Sequence, residues 1–361
     1  MELKILILPG DGIGVEVTRE AVRVLERVAA KFNHKLSHKE GLLGGIAIHK
    51  TGSPFPPETE KLALQMDATL MGAVGLPEFD NAPPDKRPEK GLLGIRKTLG
   101  VYANLRPVRS YKSLLDSSPL KNHLVDGTDM IIVRELTGGL YYGTPRGISG
   151  SGAQERGVNT MAYTRVEIER VARMAFNLAR KRRKKLASVD KSNVLEVSQL
   201  WRRVVTEVGK EYQDVALEHI LVDNCAMQLI LNPKRFDIVL MENMFGDILS
   251  DEGSVLAGSI GMLPSASIGD QKPNGVWVGL YEPVHGSAPD IAGQNKANPL
   301  GAIGSVAAML EYSFGLTKEA ASVNSAIEKV LTSGKVTADL KPTGKPATTE
   351  DVGKAVCAQI V

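Results

Sequence analysis

The sequence predicts an α/β protein in which helices pack on a largely parallel sheet, and three observations carry that expectation. Short apolar runs alternate with helix-period patterns through most of the 361 residues. The composition, 43% hydrophobic and 24% charged, is that of an ordinary folded protein, and the length suits two domains. No low-complexity linker separates two halves, so any division into domains is expected to be discontinuous.

Taken in chain order, the first strand candidate is Lys4 to Leu8. The glycines that follow, Gly10, Gly12 and Gly14, form G-x-G-x-G. The dinucleotide fingerprint needs G-x-G-x-x-G, and a P-loop needs a closing Gly-Lys-Ser/Thr, so neither is matched. These glycines are read as a sharp strand-to-helix turn. Beyond the turn, Val17, Ala21, Val24, Leu25 and Val28 recur on one helical face. Further strands are expected at ATLMGAVG (68–75), DMIIVREL (129–136), KLASVD (185–190), EHILVDN (218–224) and FDIVLMEN (236–243). Thr164 and Glu167 make a capping box ahead of Ile168, Val171, Ala172, Ala175, Leu178 and Ala179. Residues 80–91 and 149–157, rich in Pro or Gly, read as loops, the second as a projecting arm.

Several classes of function are set aside early. A net charge of +3 is too small to argue for nucleic acid or a membrane surface. The basic run ARKRRKK (179–185) ends an amphipathic helix, where cations favour the C-terminus, and no aromatic platform interleaves it. A nucleic-acid-binding module built on it is the remote alternative. Two distant cysteines, Cys225 and Cys357, indicate a reducing compartment without a disulfide framework. No apolar run is long enough to span a bilayer, and the chain opens straight into a strand, so a cytoplasmic enzyme is expected.

The residues suited to chemistry lie at the ends of apolar runs. Arg96, Arg106 and Arg134 have forks that bind carboxylates in a bidentate way, and converging on one cleft they would suit a di-acid. The plainer reading is three surface arginines, against which Arg134 follows the apolar run MIIV. Asp247 and Asp251 are four apart, so a helix would put both on one face, where a divalent cation would relieve their repulsion. The plainer reading is an acidic first turn favouring the macrodipole. Asp223 is a third ligand candidate. Lys191, just past a strand, would serve as a base near cations, or be a solvated lysine. Tyr141 and Tyr142 offer phenols for proton transfer or packing. The loop EPVHGSAPDIAGQNKANP combines small residues, His285 and a lone acid, Asp290, which suits the ribose diol of NAD and would repel the extra phosphate of NADP.

Taken together, LPGDGIG, RPEKGLLGIRK, ANLRPV, VRELTGGLYYG, VDKSNVLEVSQLWR, NMFGDILSDE, GSIGMLPSAS and EPVHGSAPDIAG resemble the β-hydroxyacid oxidative decarboxylases, the isocitrate/isopropylmalate dehydrogenase family, nearly end to end. The resemblance implies that family's three-layer α/β fold, which is not Rossmann. One domain would comprise 1–101 and 259–361. The other, 102–258, would carry dimerisation, substrate and metal functions and an arm near 143–162. It also implies a homodimer with shared active sites, NAD as cofactor, and Mg²⁺ or Mn²⁺. Arg96, Arg106 and Arg134 would grip substrate carboxylates. Asp247, Asp251 and the partner's Asp223 would hold the metal beside the substrate. Lys191, also from the partner, would be the base, and Tyr141 the acid that protonates the enolate. The NAD site would include Leu76, Glu89, His285, Gly286, Ser287, Ala288, Pro289, Asp290, Ile291, Ala292, Gly293 and Asn298.

Substrate choice would rest on Leu92 and Leu93, with Val194 from the partner, because sister enzymes place polar groups there to meet a third carboxylate. An isopropyl group buried on that wall gains on the order of 1.5–3 kcal/mol. The substrate so implied is (2R,3S)-3-isopropylmalate, converted to 4-methyl-2-oxopentanoate in leucine biosynthesis; D-malate or tartrate is the alternative. The chain departs from the family's usual VGGPKW at VGLPEF (74–79), which puts Leu76, Glu78 and Phe79 at unusual positions, and carries Glu242 where a neutral residue is commoner and Tyr142 in place of phenylalanine.

Overall fold

The computed structural model describes residues 1–360. In chain order its strands are β1 (Glu2–Gly10), β2 (Lys35–Glu40), β3 (Ala68–Ala73), β4 (Ala103–Arg109), β5 (Asp129–Glu135), β6 (Gly147–Ser149), β7 (Arg156–Val158), β8 (Lys185–Asp190), β9 (Ala216–Leu221), β10 (Ile238–Met241), β11 (Pro264–Gln271) and β12 (Trp277–Pro283). The helices are α1 (Gly14–Lys31), α2 (Gly45–Thr51), α3 (Pro57–Gln65), α4 (Pro88–Leu99), α5 (Asn122–Val125), α6 (Arg165–Arg180), α7 (Glu196–Gly209), α8 (Val222–Leu231), α9 (Asn243–Ser254), α10 (Leu300–Tyr312), α11 (Thr317–Thr332) and α12 (Thr349–Gln359). The chain divides into two compact units, each assembled from separate stretches. Unit 1 is 1–101, 111–119 and 257–361; unit 2 is 102–110 and 120–256.

Unit 1 is built on the strand order β2-β1-β3-β12-β11, parallel except for the β11–β12 pair. β1 is apolar on both faces because both are covered: Leu3, Ile5, Leu6, Ile7 and Leu8 are all buried. Leu6 and Leu8 join Met71, Leu280, Ala63 of α3 and Ile95 of α4 in one cluster. The intervening residues Ile5 and Ile7 therefore face the opposite way. α1 and α10 pack on the sheet, and Val17, Ala21, Val24, Leu25 and Val28 of α1 are fully buried, as their periodicity predicts. The result is a helix–sheet–helix sandwich.

Unit 2 has the order β4-β5-β10-β8-β9, parallel except for β4–β5. α6 begins at the expected capping box, with Thr164 and Glu167 bonded reciprocally. Its buried face differs in one place: Phe176 is fully buried and Leu178 only partly. The stretches around 149–157 form a two-stranded antiparallel ribbon, β6–β7, carrying the exposed Ile148.

Two expectations need correction. Residues 80–91 are not all loop, because α4 already begins at Pro88. The fixed φ of proline suits the first helical position, and Gly91 lies close against the Pro54 carbonyl, where no side chain fits. Asp223, read as the end of a strand, lies in the first turn of α8.

Candidate functional site

In unit 2, α9 presents Asp247 and Asp251 on one face, one turn apart. Asp247 lies beyond the first turn, so it is not an acid serving only the helix dipole. Its Oδ1 is paired with Arg134 and lies 3.6 Å from Arg106, and its Oδ2 accepts the Tyr141 hydroxyl at 2.7 Å. Arg106 also donates to Ser250 at 2.7 Å and to Asp251 at 3.1 Å. The like-charge repulsion expected between the two carboxylates is thus met within the chain by guanidiniums. Both arginines are nearly buried, at 9% and 3% exposure, while the Asp251 side chain is 61% exposed. Buried cations facing more exposed carboxylates form a site ready to exchange partners with an anionic ligand.

Each of these side chains has local support. β4 and β5 bring Arg106 and Arg134 to neighbouring strands, and Asn243, the first residue of α9, accepts from Arg134 at 2.7 and 2.9 Å. The side-chain Nδ2 of Asn243 donates to the Leu136 and Gly138 carbonyls, tying the start of α9 to the turn that carries Tyr141. Burial first, then Asp247, pushes the Tyr141 phenol up to about 12, so it stays protonated at neutral pH. Beneath lie Glu135 and Tyr163, which the sequence did not single out. Glu135 accepts from the Thr137 and Gly138 amides, and Tyr163 accepts from the Asn243 amide at 3.0 Å. Burial raises the pKa of both. Glu242 has a structural explanation: it caps α9, accepting from Met244 and Phe245 amides at 3.0 and 2.7 Å.

Lys191 and Asp223 form a separate pair at 2.9 Å, which holds the Asp223 carboxyl below its ordinary range. An open cleft of about 490 Å³ beside them is lined by Ser192, Asn193, His219 and Asn224. Val194 is 61% exposed. Among the described residues no three carboxylate, imidazole or thiol groups gather closely enough to hold a metal, so no third such group joins Asp247 and Asp251.

In unit 1, α4 sets Glu89, Leu92, Leu93 and Arg96 on one face at i, i+3, i+4 and i+7. Leu92 packs into the cluster with Ile95 and Leu280, so its side chain is partly committed to the core, while Leu93 is half-exposed. Arg96 is buried and donates to Glu282 at 2.7 Å; its Nε has no partner among the described residues. A buried donor left open is costly unless a ligand meets it.

The loop 283–293 packs on the β1–α1 turn. The Ile13 amide donates to the Ser287 carbonyl at 2.8 Å, and a side chain at Gly12 would collide with that carbonyl. Gly286 and Gly293 face open space, and Gly286 and Asp290 are exposed. His285 is buried, its Nδ1 at 2.9 Å from the Gly286 carbonyl and its Nε2 unpartnered among the described residues; burial lowers its pKa, so the ring is neutral. Ala288 holds a left-handed backbone at φ 36°, strain of a kind found at binding sites. Open backbone, a buried ring nitrogen and an exposed acid fit a nucleotide. Asn298 is engaged elsewhere, donating to Asp339 and capping Leu300. The unusual residues of 74–79 fasten to α2: Glu78 bonds His49 at 2.9 Å, and Phe79 packs on the same ring.

The basic run 179–185 is largely consumed internally. Arg180 pairs with Asp214, Arg182 with Asp129 and Asp237, and Lys184 with Asp214. No helix of the described residues is long and apolar enough to cross a membrane.

Comparison with known proteins adds the last observation. The sequence pattern of a family described as isocitrate/isopropylmalate dehydrogenase matches residues 4–356. A 3-isopropylmalate dehydrogenase of Geobacillus kaustophilus is 58% identical over 341 residues, covering 94% of this chain and 91% of that one. Another, of Halalkalibacterium halodurans, is 55% identical and covers 100% of this chain and 98% of its own. Among solved structures, isocitrate dehydrogenase from Methylococcus capsulatus superposes with a TM-score of 0.87 at 31% identity, covering 99% of both chains. A β-decarboxylating dehydrogenase from Thermococcus kodakarensis gives 0.80 at 35% identity, covering 99% of this chain and 96% of that one.

Proposed function

We propose that this chain, which belongs to the isocitrate/isopropylmalate dehydrogenase family, carries out oxidative decarboxylation of (2R,3S)-3-isopropylmalate to 4-methyl-2-oxopentanoate in leucine biosynthesis, with NAD as the oxidant. One observation carries the reading: relatives bearing that enzyme's name are 53% to 59% identical to it over most or all of their length. The face of α4 agrees with it. Leu93 and the part of Leu92 not packed into the core lie one turn before Arg96 there, an apolar strip beside a carboxylate-binding fork.

When bound, the nicotinamide ring supplies a hydride acceptor for C2 and a divalent cation supplies a Lewis acid at the hydroxyl and the neighbouring carboxylate. The chain's own residues do the rest. Arg96, Arg106 and Arg134 would each bind substrate carboxylate, and Asp247 and Asp251, with Asp223 from a second copy, would hold the cation. Lys191, also from a second copy, removes the hydroxyl proton. Once C2 has also given up its hydride and become a carbonyl, the C3–C4 bond breaks with its electron pair passing into an enolate, CO₂ leaves, and Tyr141 delivers a proton to C3. The 285–293 segment, with Leu76 and Glu89, would hold the nucleotide, and Asp290 would meet the ribose diol; Asn298, bonded to Asp339 and Leu300, is not free to join them.

The second copy is a homodimer partner. Unit 2 exposes Met227 and Leu231 one turn apart on α8, Ile248 on α9 and Val255 just past its end, an apolar face suited to a twofold interface. NADH formation, followed by absorbance with 3-isopropylmalate, NAD⁺ and Mg²⁺, tests the activity; no turnover from folded, dimeric protein refutes it.

A further inference from the structure

We infer that Asp11, in the opening glycine-rich turn, is a positioning residue for the cofactor side of unit 1, an inference that rests on the dehydrogenase reading above. A strand-to-helix turn needs its glycines, but it does not need a buried acid. Asp11 is 3% exposed, and among the described residues no cation pairs with it. Its charge is met by backbone amides alone: Oδ2 accepts from Gly45 at 2.8 Å and Gly75 at 2.9 Å, and Oδ1 from Ile46 at 2.8 Å. Two segments distant in sequence, the start of α2 and the exit of β3, are thereby held by one carboxylate. Gly44, at φ 82°, leaves no room for a side chain beside Oδ2.

The segment so held is the one where three cofactor-side groups converge. A Cβ placed on Gly75 would lie 3.5 Å from the Ser287 hydroxyl and 3.6 Å from Glu89 Oε1. Leu76 packs against Gly45, and Glu78 and Phe79 close on His49 of α2, so α2 and residues 75–79 are fastened at both ends. Asp11 is the fastening at the cofactor end. A carboxylate can accept from all three amides; an asparagine must turn its NH₂ toward at least one of them.

The test is Asp11→Asn, which keeps size and shape. We expect a folded dimer whose KM and calorimetric Kd for NAD⁺ rise about tenfold, the worth of one charge-assisted hydrogen bond, while kcat and the KM for the hydroxy acid move less than about twofold. Hydrogen exchange in the cofactor-free protein should quicken in 43–47 and 74–79 and nowhere else. An unchanged NAD⁺ affinity, or an equal loss of every parameter with faster exchange throughout, overturns the inference. If the variant does not fold, the wild type decides: NAD⁺ must slow exchange in both segments, and its failure to do so contradicts the role. Wild-type protein that binds NAD⁺ but does not turn over 3-isopropylmalate would sink the substrate assignment and leave Asp11 to be judged by affinity and exchange.

Discussion

Tyr141 shows how one contact sets a proton's position. Its hydroxyl donates to Asp247 at 2.7 Å, and burial with that carboxylate holds the phenol's pKa near 12, above the ordinary value of 10. A raised pKa keeps the proton on the phenol through the neutral and mildly alkaline range, as an acid for the enolate requires. Tyr141→Phe should therefore lower kcat by about 10²–10⁴ with little change in NAD⁺ affinity. In the wild type, no loss of rate below about pH 10 should trace to this phenol; steady-state pH profiles of both proteins check the point. Lys191→Met should abolish turnover while leaving fold and dimer intact, and a near-normal kcat would reject the base role. Single residues were only partly legible in the sequence. Arg134 was marked by its place after an apolar run, but its partner Asp247 is 113 positions away, and chain spacing carries no information about such a pair. Asp11 was missed for the same reason: an acid between glycines reads as a turn former, while its amide partners lie 34, 35 and 64 residues on.

Helix α9 concentrates the acid pair, the Asn243 support and a buried cap. Burial raises the pKa of the Glu242 carboxyl despite its two amide partners. For a carboxyl raised in the folded state, its contribution is fully present below the ordinary carboxyl pKa and is lost as pH rises through the raised value. Glu242→Gln loses one acceptor, a pH-independent offset, but removes that slope. Thermal melts should show the variant gaining on the wild type as pH rises above the ordinary carboxyl range, and a constant or shrinking difference would count against a raised Glu242. Elements with strong periodicity or a cap, such as α1 and α6, were read correctly from sequence. β2, β4, β11 and β12 are not singled out, since their mixed or small residues lack a long apolar run, and residues 88–91 read as loop because of the PP and RP pairs. Proline at a helix's first position looks the same in sequence as proline in a loop; Gly91 against Pro54 decides between them.

At the scale of the whole molecule, the α/β class is visible in the alternation of apolar runs and helical faces and a discontinuous division in the lack of a linker, whereas the assignment of 111–119 to unit 1 depends on which segments pack together. The proposed dimer makes a quantitative prediction. If Lys191 comes from one copy and Tyr141 from the other, a mixed dimer of Lys191→Met and Tyr141→Phe chains has one doubly damaged site and one intact site. Random exchange of the two inactive proteins should restore about a quarter of wild-type activity, because half the dimers are mixed and each has one working site. No recovery despite verified exchange would place both residues on the same chain's site. The central claim, that the apolar strip beside the Arg96 guanidinium chooses the substrate, is tested most directly by comparing kcat/KM for 3-isopropylmalate and D-malate with NAD⁺ and Mg²⁺. Burial of the isopropyl group predicts a preference for 3-isopropylmalate of about 10- to 150-fold. Equal or better use of D-malate by the folded dimer would contradict it.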